Sequence, residues 1–232
     1  MAQNSKIEWT DHTANLWHGC TKVHEGCDNC YAEVLSKRWG NDIWGNDKPR
    51  KLVISFFKDL DKYQELAKKN GEVHKVFVGS MMDIFEKPMP LVDNKGIEIV
   101  NLNTGQLRGM FFKRISENRY PNLMFLLLTK RPSNINKYIP EEWKSTPPAN
   151  VMFGTSPVNQ ETANKLILQL IDWVIQGGES GHKKRPFNLD WAYYLKQQCE
   201  QTKTPYFFKQ IDKVQPIPED LLIREMPVYE KD

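Results

Sequence analysis

The chain has 232 residues, 40% hydrophobic, 26% charged and 11% aromatic, with 13 Gly and 14 Pro. These values exclude disordered, collagen-like and coiled-coil chains and leave room for one large domain with a substantial core. Lys and Arg number 32 against 29 Asp and Glu, a formal net charge of +3, so bulk charge gives no argument for a polyanionic partner.

The first residues, MAQNSKIEWTDHTANLWHGC, carry no signal-peptide pattern. Tyr31–Gly40 and Leu52–Lys69 read as amphipathic helices, and VFVGS at Val76–Ser80 as the first clear strand. A helical stretch follows around Gly96–Glu117, then a strand at Leu123–Thr129 whose apolar run is far shorter than the roughly 20 residues of a membrane helix. STPPAN at Ser145–Asn150 is a loop before the strand Val151–Thr155. Next come a helix at Gln160–Leu170, a strand at Trp173–Gly178, a helix at Leu189–Thr202 with Asn188 or Asp190 as its cap, and a strand at Tyr206–Gln210. The strands are continuous apolar runs, as strands covered on both faces are. Strand, helix, strand order predicts a single-domain α/β protein whose parallel sheet is open or rolled into a partial barrel.

In such folds reactive groups collect where strands end. The polar residues at those ends are Ser80 and Asp83; Thr129, Lys130 and Arg131; Thr155 and Ser156; Gly177, Gly178, Glu179 and Ser180; and Lys209 with Gln210. Loops are often polar for no further reason, but five such ends together point to a site. At Glu179 two glycines let the backbone approach a ligand and a carboxylate can accept from an ammonium or hydroxyl group; a tight turn with a solvated Glu is the plainer alternative. Asp83 has the same two readings, ligand contact or turn cap. Lys130, Arg131 and Lys209 suit a carboxylate or phosphate, or else pair with Glu179, Asp83 or Asp212. His182, Lys183, Lys184 and Arg185 form a short basic run, a phosphate contact or a solvated loop. Trp9, Trp17, Trp39 and Trp44 crowd the amino-terminal fifth and are expected to pack against the cysteine loop.

Cys20, Cys27 and Cys30 are spaced C-x6-C-x2-C. Two thiolates separated by two residues can face one metal centre, and the six-residue loop can return a third. Too few for a secreted disulfide scaffold, they suggest metal ligation in a reducing, cytoplasmic compartment. Zinc would draw a fourth ligand from His18, His24 or Cys199, although Cys199 in QQCEQ reads as a buried helix thiol. A three-thiolate set also suits a four-iron cluster with one iron open. Spacing alone leaves both.

The ordered motifs IEWTD at Ile7, GCDNCYAE at Gly26, VFVGSMMDIF at Val76, LTKRP at Leu128, GTS at Gly154, IDWVIQGGESG at Ile171, RPF at Arg185 and PYFFKQ at Pro205 carry a resemblance nearly end to end. The chain resembles a family of phage and prophage proteins that looks like a divergent branch of the radical S-adenosylmethionine (radical SAM) superfamily, with the first cysteine interval lengthened. That resemblance implies a TIM-like partial (βα)6 barrel in which Cys20, Cys27 and Cys30, in a loop spanning residues 18–31, hold a [4Fe-4S] cluster. S-adenosylmethionine would bind the open iron, contacted by residues among Ser80, Asp83, Thr129, Lys130, Thr155, Ser156, Gly177, Gly178, Glu179 and Lys209. It further implies cleavage of that cofactor to a 5′-deoxyadenosyl radical, an electron donor such as a flavodoxin or ferredoxin, and a substrate such as a nucleobase or nucleotide. The competing expectations are a zinc-stabilised phage protein that binds nucleic acid, and a barrel that keeps the cluster without turnover.

Overall fold

Apolar runs buried from both sides form the centre of the computed structural model, which describes residues 2–157, 171–179 and 184–229. The strands are β1 (Ala2–Gln3), β2 (His12–Ala14), β3 (Trp17–His18), β4 (Arg50–Leu52), β5 (His74–Val78), β6 (Pro90–Val92), β7 (Glu98–Asn103), β8 (Leu123–Thr129), β9 (Val151–Thr155), β10 (Trp173–Gly177) and β11 (Tyr206–Gln210). The described α-helices are α1 (Tyr31–Arg38), α2 (Phe56–Asn70), α3 (Thr104–Ser116), α4 (Ile135–Tyr138) and α5 (Leu189–Thr202).

The main sheet runs β1-β2-β5-β8-β9-β10-β11. All neighbours are parallel except β1, which lies antiparallel on β2. The six parallel strands thus follow one another in chain order and curl into a half-barrel, the expected partial barrel within one mixed α/β domain. Side-chain alternation divides the apolar residues into two layers. Val76, Val78, Phe125, Leu127, Phe153, Val174 and Phe208 pack with Leu60 and Tyr63 of α2, Phe111 of α3 and Leu195 of α5. Phe77, Met124, Leu126, Met152, Trp173, Ile175 and Phe207 form a separate cluster that contains no helix residue, so they fill the concave face.

The β11 edge of the main sheet is covered. Beyond β11, Phe208 N donates to Ile223 O at 3.1 Å and Glu225 N to Tyr206 O at 3.1 Å, which leaves no long edge open to foreign strands. A smaller sheet, β3-β4-β6-β7, flanks the first. No helix among the described residues is long and apolar enough to cross a membrane.

The predicted strands Leu123–Thr129, Val151–Thr155 and Tyr206–Gln210 and the helix Leu189–Thr202 match the structure residue for residue. At α5, Asn188 is the cap and its Oδ1 accepts from Asp190 N at 2.9 Å. Other expectations need correction. The first half of the helix expected at Gly96–Glu117 is β7, and α3 starts only at Thr104, where Asn103 and Gln106 form a reciprocal capping box. Leu52 belongs to β4, with α2 beginning at Phe56. Trp9 packs in the concave cluster and Trp17 in the helix-facing core, while Trp39 is exposed. The helix expected at Gln160–Leu170 lies outside the described residues.

Candidate metal centre at the mouth of the half-barrel

β2 ends at Ala14, and the next residue fixes the route of the cysteine loop. The buried Asn15 accepts from Met81 N at 2.8 Å and donates to Ser80 Oγ at 2.8 Å, joining the carboxyl ends of β2 and β5. Gly19 N donates to Met81 O at 3.1 Å. Gly19 has φ +110°, and a Cβ there would stand 2.4 Å from Ile43 O, so only glycine lets the loop turn here. The Sγ of Cys20 then lies 3.5 Å from Arg131 Nη1. A short 3-10 turn, Glu25–Cys27, is capped by His24, whose Nδ1 accepts from Gly26 N at 3.1 Å. Cys30 is the cap residue of α1, and its side chain makes no capping hydrogen bond. The neighbouring Tyr31 donates from its hydroxyl to Ser80 O at 2.7 Å.

Asp83 forms the junction between β5 and β8. Its carboxylate accepts from Thr129 Oγ1 at 2.8 Å, Lys130 N at 3.1 Å, Arg131 Nη1 at 2.8 Å and Phe85 N at 3.0 Å. Both oxygens are therefore held by protein donors. Thr155 donates to Thr129 O at 3.1 Å, extending the junction to β9. Behind it lies a second pair, absent from the sequence reading. The fully buried Arg50 meets Glu86 through Nε at 2.9 Å and Nη2 at 2.7 Å, and also donates to Thr21 Oγ1 at 2.8 Å and Gly45 O at 3.0 Å. These bonds clamp the cysteine loop from below.

Across the mouth, Glu179 accepts from Asn29 Nδ2 at 2.8 Å, from Arg185 N at 2.9 Å and from the Arg185 guanidinium. Asn29 immediately precedes Cys30, so the end of β10 also grips the cysteine loop. Arg185 Nη2 donates to Glu25 O at 2.7 Å. A cavity of about 160 Å³ opens here between Glu25, Gly178, Glu179, Arg185, Phe187 and Trp191. Burial acts to raise the Glu179 pKa, but the bonds from Arg185 and Asn29 outweigh it and hold the carboxyl below its usual range. The stability this carboxylate contributes is full above about pH 4.3, the unperturbed Glu value, and fades as pH falls through the lowered one. Urea midpoints measured from neutral pH down to roughly pH 3 are expected to fall further for the wild type than for Glu179→Gln; parallel curves would show that the carboxylate does not stabilise the fold.

The two glycines before Glu179 are required by the sheet. A Cβ on Gly178 would stand 1.9 Å from Ile211 O and 3.0 Å from Phe187 Cβ, and one on Gly177 3.0 Å from Gln210 O. The close approach they permit is to β11, where the register shifts between Gln176 and Gly177. Gly178→Ala is expected to cost about 3 kcal/mol, at the upper end of overpacking penalties, read as a lowered urea midpoint.

The thiols of Cys20, Cys27 and Cys30 all act electrostatically on the Lys130 ammonium. Burial lowers the pKa of its ammonium, while Cys27, Cys30, Asp83 and Cys20 act in the opposite sense. Its Nζ donates to Ser156 O at 3.1 Å. Burial, then the nearby Asp83 charge, push the Cys20 thiol up to about 12 although Arg131 pulls it down. A ligand thiolate at this position therefore needs a cationic centre beside it, and a metal supplies that charge. Among the described residues no three His, Cys, Asp or Glu side chains stand close enough to hold one metal ion. Of the other ligands considered, His24 is engaged as a cap, and burial lowers the His18 pKa to about 4. Cys199 is buried in α5, its thiol raised by burial to about 12.

The remaining predicted residues also converge. Ser80, Thr129, Thr155, Ser156, Gly177 and Lys209 all lie at the carboxyl ends of the parallel strands. Asn15, Arg50 and Glu86 carry no local signal in the sequence. Of the basic run, Arg185 holds Glu179 and Lys184 pairs with Asp212 at 2.7 Å, whereas Ser180, His182 and Lys183 lie outside the described residues.

Among solved structures, the fold is similar to a double variant of spore photoproduct lyase with bound AdoMet and dinucleoside spore photoproduct. The TM-score is 0.52 at 11% identity, over 91% of this chain and 59% of that one. A single cysteine-to-serine variant of the same lyase matches with a TM-score of 0.43 at 12% identity, over 91% of this chain and 48% of that one. The chain thus spans about half the length of the solved chains it matches. No curated protein sequence matches. A family profile described as protein of unknown function (DUF5131) matches residues 4–171 and 163–220, and the chain belongs to that family.

Proposed function

We propose that this protein is a radical SAM-type enzyme in which Cys20, Cys27 and Cys30 hold a [4Fe-4S] cluster and S-adenosylmethionine binds at its open iron. The substrate is a nucleobase or nucleotide, and a flavodoxin- or ferredoxin-like donor supplies electrons in the cytoplasm. One observation carries the reading: the loop that bears Cys20, Cys27 and Cys30 is fastened by Asn29, Tyr31 and Arg131 to the carboxyl ends of a six-stranded half-barrel. When bound, the cluster and S-adenosylmethionine would supply one-electron cleavage of the sulfonium to methionine and a 5′-deoxyadenosyl radical.

The chain's own residues position and shield this chemistry. Asn15, Tyr31, Arg131 and Asn29 hold the loop on the ends of four different strands, so that the thiols are set before any ligand arrives. Asp83 fixes Arg131 and, through the Lys130 amide, the start of the segment that carries the ammonium. That ammonium offers compensating positive charge to the three thiolates. Phe77, Leu126, Ile175 and Phe207 pack the concave face below and keep water from the mouth's floor. The polar rim on Glu179 and Arg185 borders the 160 Å³ cavity.

Protein reconstituted anaerobically with iron and sulfide and then reduced with dithionite is expected to hold about four irons per chain and to release methionine and 5′-deoxyadenosine from S-adenosylmethionine. Colourless protein with stoichiometric zinc would overturn the reading. A stable cluster without release would leave a cluster-holding barrel that lacks turnover.

A further inference from the structure

The cysteine loop is fastened in two halves. Around Cys20, Gly19 N donates to Met81 O at 3.1 Å, and Arg131, itself held by Asp83 at 2.8 Å, donates to Thr21 O. Around Cys27 and Cys30 the anchor is the carboxylate of Glu179, just beyond β10. Its Oε2 accepts from Asn29 Nδ2 at 2.8 Å and Arg185 N at 2.9 Å, and its Oε1 accepts from Arg185 Nε at 3.0 Å and from Arg185 Nη2. The same guanidinium reaches the turn that ends at Cys27. There Nη2 donates to Glu25 O at 2.7 Å, and Nη1 stands 3.8 Å from the Glu25 carboxylate and 3.7 Å from that of Asp28. Lys22 Nζ links the halves through an exposed bond to Asp28 O at 3.3 Å.

A carboxylate offers about four lone-pair sites, and at Glu179 four protein donors occupy them. An ammonium or hydroxyl group of a ligand would have to displace one, at a side chain only 16% exposed. The four bonds act on the loop instead. Asn29 directly precedes Cys30, the cap residue of α1. The Glu25 carbonyl that Arg185 holds also accepts from Asp28 N at 2.9 Å, closing the turn around Gly26 and Cys27. Paired N–H···O bonds from a guanidinium to a carboxylate fix orientation as well as distance, so the backbone that carries both thiols is set from Glu179.

We propose that Glu179 is a positioning residue: through Asn29 and Arg185 it sets the backbone that presents Cys27 and Cys30, and it does not contact the sulfonium cofactor. That these thiols hold a cluster rests on the enzyme reading above; the clasp does not. Hydrogen exchange of the metal-free chain, read by mass spectrometry on peptides covering residues 25–30 and 12–21, tests the clasp. Glu179→Ala is expected to speed exchange in 25–30 about tenfold and to leave 12–21 within about twofold. Arg185→Gln, at a side chain 42% exposed, should reproduce the effect at residues 25–28 with the fold kept, and Glu179→Gln, which retains an acceptor, should restore most of the protection. In reconstituted protein, Glu179→Ala should release iron to a chelator about tenfold faster, while chains that keep their cluster bind S-adenosylmethionine as the wild type does, followed by the change in the cluster spectrum. Unchanged exchange in 25–30 in both Glu179→Ala and Arg185→Gln, or equal acceleration in 12–21, would overturn the proposal. So would a loss of S-adenosylmethionine affinity at wild-type iron retention, which would make Glu179 a cofactor contact. If the wild type assembles no cluster the enzyme reading alone fails, because exchange in the metal-free chain still decides this one.

Discussion

Cys27→Ser is expected to empty the metal centre while leaving the fold intact. Reconstituted wild-type chain should carry about four irons, the variant fewer than one, and release of 5′-deoxyadenosine should fall at least 100-fold, to background. The separation of the two effects follows from the local structure. The turn at Glu25–Cys27 is built by His24 and backbone bonds, with no part played by the Cys27 thiol, and the side chain is half-buried. Urea unfolding of the metal-free variant should therefore stay within about 0.5 kcal/mol of the metal-free wild type. Cys199→Ser should behave in the opposite way. Its thiol is buried in α5, so the polar hydroxyl lowers stability by roughly 1–2 kcal/mol without touching iron content. Iron retained in Cys27→Ser, or lost in Cys199→Ser, would reassign the ligands.

The largest stability effect is expected at the buried ion pair beneath the cysteine loop. Arg50 and Glu86 have side chains 0% and 1% exposed, and Glu86→Gln leaves the guanidinium buried without its counter-charge. Removing one partner of such a pair costs about 3–5 kcal/mol, a large share of the roughly 5–15 kcal/mol that holds a domain together. The loss reaches the metal centre, because the same guanidinium holds Thr21, next to Cys20, and the Gly45 carbonyl, which in turn accepts from Thr21 Oγ1 at 3.1 Å. Chemical denaturation should show the shift, and iron retention during gel filtration should fall with it. Asp42→Asn gives the contrast: its partner Lys48 and Asp42 itself are 45% and 74% exposed, and exposed pairs contribute only about 0–1 kcal/mol. An unchanged midpoint for Glu86→Gln would mean that the pair is solvated in solution.

What the sequence revealed follows the physics of burial. Leu123–Thr129, Val151–Thr155 and Tyr206–Gln210 lie between helices and a packed concave face, so their apolar runs are uninterrupted and their limits sharp. β2 was missed because His12, Thr13 and Ala14 are buried without forming an apolar run: His12 stacks on Tyr63 with ring centroids 4.0 Å apart and bonds to His74 at 3.0 Å. β7 was mistaken for helix because EIVNLN sits at the edge of the small sheet, with a mixed pattern of exposure that does not display a strand period. At the site, residue type and spacing announced the cysteines and the polar strand ends. Asp83 and Glu179 are candidates by chemistry alone; the alternative in which Arg131 pairs with Asp83 is what the structure shows, whereas the Arg185 partner of Glu179 is set by the closing of the sheet. Arg50 and Glu86, 36 positions apart, leave no mark in any local pattern.

The most direct measurement is electron paramagnetic resonance of the reduced, reconstituted protein before and after addition of S-adenosylmethionine. The central claim is that three cysteines hold the cluster and leave one iron open; it requires a [4Fe-4S] signal whose g values shift when the amino and carboxylate groups of that cofactor reach the fourth iron. A signal indifferent to S-adenosylmethionine at saturating concentration, or no iron signal at all, would contradict it.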